Sequence, residues 1–137
     1  LYAARGYVKR RPRTTDLAAH DWIGFDESLR NLGSALWMEA HVPKDRVVCR
    51  ANSLVALRAF ARAGLGVAAL PCYLGDREKG LVRIHAPLPE MSAGLWLLTH
   101  PDLRRVARVR AVLDVMAGEL TRLRAVFEGK RQAQPRT

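Results

Sequence analysis

Apolar and polar positions along the chain alternate with two different spacings, and the places where the spacing changes carry turn residues. The segment from Arg46 to Asp76, RVVCRANSLVALRAFARAGLGVAALPCYLGD, reads as strand, helix, strand. Val47 to Ala51 is a short β-prone run, followed by Asn52 and Ser53, both helix-capping residue types. Leu54 to Ala63 then places Leu57, Phe60 and Ala61 on one helical face. Gly64 suits the left-handed position that closes a helix, and Gly66 a tight turn into the next strand. Val67 to Leu70 is the continuous apolar run expected of a parallel strand covered on both faces, and Pro71 ends it because proline cannot donate to a ladder. The segment is therefore a βαβ unit.

Shorter elements flank it. Leu1 to Ala3 reads as the end of an extended segment, followed by a short helix through Tyr7 and Val8 that Pro12 stops. Thr14 or Thr15 is expected to cap a second short helix, with Asp16 in its first turn. Asp21 to Asp26, DWIGFD, reads as a strand. Gly33 to Val42 has helical spacing in Leu36, Trp37 and Ala40, and Pro43, Lys44 and Asp45 form a turn. Tyr73 to Glu78 is a short helical or turn segment, and Leu81 to His85 a strand. Pro87, Pro89 and Gly94 mark a loop, and Leu95 to Thr99, LWLLT, is a strand ended by His100-Pro101. From Leu103 to Val126, Val106, Val109, Leu113, Met116, Leu120 and Leu123 recur at three- and four-residue intervals, an amphipathic helical stripe. Such a stripe needs a partner surface, a coiled-coil seam or, as expected in an α/β domain, a sheet. Residues 127–137 read as a disordered basic tail.

A length of 137 residues sets a single domain with enough apolar content for a core. The net charge of +10 suggests nucleic acid at first, but its distribution does not. Leu1 to Arg13 holds five basic residues and no acid, whereas Thr14 to Pro101 balances nine against nine. The excess sits in the first turn, the last helix and the tail, where solvated faces account for it, and no groove-entering motif accompanies it. No run is long and apolar enough to span a membrane. The first residues lack the order of a signal peptide, and the absence of an initial Met reads as a fragment or a trimmed chain. Cys49 and Cys72 lie on or beside predicted core strands and are expected as buried free thiols, which suits a reducing compartment.

Catalytic and metal motifs are absent from the sequence. His20, His41, His85 and His100 are scattered, without the spacing of a zinc site; His100, at a strand end, is the one to watch. There is no Gly-x-Ser-x-Gly elbow, Walker loop or Gly-x-Gly-x-x-Gly, so no enzyme, metal or cofactor is expected. What the pattern does offer is strand ends. Ligands of open α/β sheets bind beyond the carboxyl ends of strands, where helix N-termini favour anions. One such edge presents Arg50, Asn52 and Ser53; another presents Asp26, Glu27 and Ser28. Asn52 or Ser53 either caps the helix alone or caps it and holds a ligand. Arg50 is either a carboxylate partner or a snorkelling surface side chain. Asp26 and Glu27 are poor candidates for a catalytic pair, since adjacent carboxylates on a strand point apart.

Taken together, LYAARGYV, PRTTDLAAHDWIGF, ANSLVALRAFARAGLGVAALPCYLGDRE, GLVRI, LWLLTHPD and the terminal amphipathic helix resemble the effector-binding domain of LysR-type transcriptional regulators. Ala61 to Pro71 is the most telling block. The resemblance implies a Rossmann-like α/β lobe of a domain similar to type 2 periplasmic binding proteins. Residues 5–93 would form the second lobe, 95–100 the return crossover strand, and 103–126 a terminal helix packed on a first lobe largely missing here. It implies a sensor of small metabolites, organic acids or amino acids, with a pocket at Asp26, Glu27, Ser28, Arg50, Asn52, Ser53 and Pro71. It further implies homodimers or higher oligomers, a cytoplasmic location, no membrane, and DNA contact only through a winged helix-turn-helix that these residues do not contain. A solute-binding protein of the same architecture is the alternative.

Overall fold

Strand β2, Trp22–Phe25, is apolar or glycine throughout and buried at all four positions, so it needs a strand on each side and cover on each face. The computed structural model describes residues 1–11 and 16–130. In it β2 lies between β3 (Val47–Ala51) and β4 (Val67–Ala68), parallel to both. The described residues form one five-stranded sheet in the order β3-β2-β4-β1-β5. β1 is Tyr2–Ala4 and β5 is Leu81–Arg83. β1 runs antiparallel to both neighbours, with Tyr2 opposite Ala68 and Arg83. The sheet is thus mixed and the class α/β. The segment read as the trailing end of an extended stretch is an interior strand, buried at Tyr2, Ala3 and Ala4.

The central βαβ unit forms as expected, with β2 lying between its two strands. Helix α3, Leu54–Arg62, begins where Ser53 Oγ accepts from Ala56 N at 3.2 Å and buries Leu57 and Ala61. It ends in a Schellman cap: Gly64 N bonds to Ala61 O and Leu65 N to Phe60 O, with Gly64 at φ 82°. Gly66 is required for a different reason than a turn. A Cβ there would stand 2.5 Å from Asp21 O and 2.9 Å from Asp21 C, main-chain atoms leading into β2. Val67 to Leu70 are all buried, although only Val67 and Ala68 join the ladder.

Other elements depart from expectation. Helix α1 is Arg5–Arg10, and Asp16 itself caps the 3-10 turn Leu17–Ala19, accepting from Ala18 N. Pro12, Thr14 and Thr15 lie outside the described residues. Helix α2, Gly33–His41, turns Trp37 and Met38 inward and leaves Leu36 exposed, because Trp37 packs between Trp22 of β2 and the His41 ring. Both cysteines are free, but half-buried instead of buried. Helix α4 is Cys72–Gly75. Leu95 to Thr99 forms no ladder: Trp96 is 78% exposed and Leu98 87%, and a strand requires a neighbour that the described residues do not supply. The long terminal helix is broken. A 3-10 turn at Pro101–Arg105 precedes α5, Ala107–Arg122; Leu123 interrupts it, and α6 is Arg124–Phe127. No residue of α5 is buried, so its stripe meets no sheet among the described residues. Phe127 to Lys130, assigned to the tail by composition, instead continue the helical path and fold back against α4.

Candidate functional site

The carboxyl ends of β3, β2 and β4 come side by side. Phe25 pairs with Ala51, and Asp26 N donates to Ala51 O at 3.1 Å, so Asp26, Glu27 and Ser28 lie next to Asn52 and Ser53. On the other side of β2 the last paired rung is Ile23 with Ala68, and Asp26 and Pro71 stand equally far past it. Six of the seven predicted site residues thus follow the carboxyl ends of these three adjacent strands, and Arg50 lies on β3 itself, one residue before its last.

Their local roles differ. Asp26 caps the 3-10 turn Glu27–Leu29, its Oδ1 accepting from Ser28 N at 2.9 Å and Ser28 Oγ at 2.5 Å. Glu27 points to solvent and pairs with Arg30 at 3.2 Å. Ser53 caps α3, while Asn52 beside it is exposed. Pro71 precedes α4 as its capping position. The N-terminus of α3 and its dipole face this edge, and Ser53 Oγ satisfies one of the free N–H groups there.

Arg50 owes its position to a glycine and to a shift of register. Trp22 pairs with Val47 but Ile23 with Cys49, so β3 carries one extra residue at Val48. The shift brings Val47 and Arg50 to the same side of β2, over Gly24. A Cβ on Gly24 would lie 2.8 Å from Val47 Cγ1 and 3.5 Å from Arg50 Cγ. The arginine stem crosses this bare backbone, and Nη1 donates to Phe25 O at 2.9 Å. One arm of the guanidinium is thus committed to the protein while the head stays exposed.

An open cavity of about 640 Å³ lies between α2 and the β2–β3 pair. It takes in Asp26, Glu27 and Arg50 but not Ser28, Asn52, Ser53 or Pro71. Its floor is Met38, Val42 and Val47, and Arg30, Glu39 and Lys44 add charges of both signs to its rim. Sequence reasoning missed these rim and floor residues. Glycine inside a β-prone run was the available signal, since it marks a close approach of another chain segment.

Nothing at this edge forms a nucleophile–base pair. No group of three His, Cys, Asp or Glu side chains able to hold a metal occurs among the described residues, and none of their helices is long and apolar enough to cross a membrane. His100, the histidine singled out by sequence, is exposed and pairs with Asp102 at 3.2 Å. What the edge offers is a mixture of donors, acceptors and opposed charges suited to holding a small polar molecule. One family model, the LysR substrate binding domain, matches residues 1–121. No curated protein and no solved structure matches the chain.

Proposed function

Because the chain belongs to the LysR substrate binding domain family, the regulatory domains through which LysR-type regulators sense ligands, we propose that it binds a small organic acid or amino acid at the shared edge of β3, β2 and β4. The observation that supports this reading is that Asp26, Ser28, Asn52, Ser53 and Pro71 follow the carboxyl ends of three adjacent strands, with Arg50 on β3 bonded to Phe25 O. The Arg50 head and the N-terminal N–H groups of α3 supply the positive side for a carboxylate. Asp26 and Glu27 supply the negative side, so an amino acid would use both and a simple acid only one. Binding would act without chemistry, altering DNA contact by a winged helix-turn-helix beyond these residues, in the cytoplasm.

Association of copies belongs to the same reading. Leu95, Trp96 and Leu98 are exposed, as are Val112 and Val115 of α5, and apolar surface of that extent calls for cover by a second copy or by another lobe. A monomer by light scattering at tens of micromolar, soluble and free of self-association, would count against the homodimer.

The test of ligand sensing is thermal unfolding against a panel of dicarboxylates and amino acids. A compound at 100 times its dissociation constant adds about 2.7 kcal/mol to the folded state. The expected result is a midpoint shift with one class of compound, strongly reduced in Arg50→Ala. A shift that survives Arg50→Ala and Asn52→Ala together would move the site elsewhere. No shift in any protein containing the whole domain would refute the sensing reading.

A further inference from the structure

We infer that residues 124–130 are a releasable clasp that fastens helix α5 to the sheet, with Gly129 as its catch. The inference goes beyond the ligand-sensing reading, and these residues lie past the stretch that the family model matches.

Helix α5 buries no residue, and among the described residues it packs mainly against its own neighbours in the chain, the 3-10 turn Pro101–Arg105 and α6. Within the described residues its position relative to the sheet is therefore set by what those neighbours hold. The turn before it is exposed along its length. The turn after it is anchored. Phe127 meets the Tyr73 ring of α4 edge-on, with centroids 5.4 Å apart. Glu128 closes on Arg124 at 2.6 Å and on Lys130 at 2.7 Å, stiffening the turn from outside.

The catch itself is built from two independent demands on one residue. Lys130 N bonds to Ala125 O at 2.9 Å and Gly129 N to Val126 O at 3.2 Å, a Schellman closure that places Gly129 at φ 68°. In that conformation its backbone lies against the body of the protein. A Cβ would stand 2.6 Å from Cys72 Sγ, 3.0 Å from Pro87 Cγ and 3.1 Å from Arg83 Nη2. Arg83 Nη1 then donates to Gly129 O at 2.9 Å, while its Nη2 is held by Asp76, whose side chain is only 2% exposed. Tyr2 of β1 donates to the other Asp76 oxygen at 2.8 Å. The clasp thus ends on a buried chain of partners rooted in an interior strand. The clasp meets the body through the Tyr73–Phe127 ring contact, the Arg83 bond to Gly129 O and the Gly129 approach to Cys72 and Pro87, none of which is a sheet rung, so it can open without unfolding the sheet, and opening uncovers Cys72.

Alkylation of the whole chain with iodoacetamide, followed by peptide mass spectrometry, reads this directly. Trypsin leaves Cys72 in the 63–77 peptide and Cys49 in the 47–50 peptide. Gly129→Ala adds the left-handed penalty of a non-glycine residue, so the Cys72 rate should rise by about tenfold while the Cys49 rate stays constant. Phe127→Ala should act in the same direction, and amide exchange in residues 107–122 should quicken in both variants. Gly118→Ala, whose Cβ would meet nothing within 4 Å, should leave both thiols unchanged. Unchanged Cys72 reactivity in both clasp variants would overturn the proposal. A parallel rise at Cys49 would also overturn it, because the variants would then be loosening the whole fold.

Discussion

Replacing Gly66 by alanine should damage this domain far more than its single methyl group suggests. The new Cβ would lie almost an ångström inside ordinary contact with Asp21 O and would also press on Asp21 C and, at 3.3 Å, on Trp22 N. All three are main-chain atoms, so no side chain can swing aside. Relief requires β4 to move away from β2, which strains the bond from Val67 N to Asp21 O, now 2.8 Å, and the packing around the fully buried Trp22. Overpacking costs about 1–3 kcal/mol and a weakened buried hydrogen bond about 1 kcal/mol. The lost backbone freedom of the unfolded chain returns only about 0.4–1 kcal/mol. The net loss should be about 2–3 kcal/mol, a fall in melting temperature of about 10 °C for a domain of this size. Circular dichroism melts and urea titrations at constant m-value measure it. Gly64→Ala is the comparison. There the nearest atom is Arg10 Nη2 at 3.6 Å, so only the left-handed penalty of about 1–2 kcal/mol applies. A Gly66→Ala protein melting within a degree or two of the parent would refute the close-approach argument.

Further outcomes follow from the same geometry. Burial, then hydrogen bonds to Asp76 and Cys72, push the Tyr2 hydroxyl well above its ordinary value near 10. The folded state therefore holds this proton more tightly than the unfolded chain. Its contribution to stability is complete below pH 10 and is lost as pH climbs above it, at about 1.4 kcal/mol per unit. Tyr2→Phe should cost about 1–3 kcal/mol at neutral pH, and the gap to the parent should close in urea titrations at progressively alkaline pH. A gap that stays constant would show that Tyr2 ionises freely. Ser53→Ala should remove about 1 kcal/mol through loss of the α3 cap, with Ser53→Asp retaining most of it; equal melting temperatures for all three proteins would contradict the cap.

The parts of the fold legible in the sequence are those fixed by neighbours in the chain. Ser53, Leu57, Ala61 and Gly64 specify a cap, a buried face and a closure within a dozen residues, and α3 follows them. The shared edge of β2, β3 and β4 was legible for the same reason, since strand ends are marked by local polar and capping residues. What could not be read depends on distant partners. Three residues of β1 look like a fragment until Ala68 and Leu81–Arg83 close on either side. LWLLT is apolar apart from its last residue and carries β-prone Trp96 and Thr99, yet it makes no ladder, because pairing is a property of two segments. The extra residue at Val48 reverses the alternation that would have separated Val47 from Arg50, so the cavity beside α2 was hidden. Gly129 carried a signal that composition overrode: a glycine two residues after an aromatic closes a helical turn as readily as it opens a flexible tail.

The position of β1 also bears on how the domain can assemble. Its three residues are far in sequence from both strands that flank it, Val67–Ala68 and Leu81–Arg83. Closing so long a loop costs entropy before any ladder bond is returned. The local βαβ unit with β2 is therefore the natural nucleus, and β1 inserts only after Leu81–Arg83 has emerged, setting the last two rungs of the sheet together. A ribosome-bound chain arrested before residue 81 would leave Tyr2 without Asp76 and Arg83 in place around it, and β1 would stand available to whatever chaperone or neighbouring chain reaches it first.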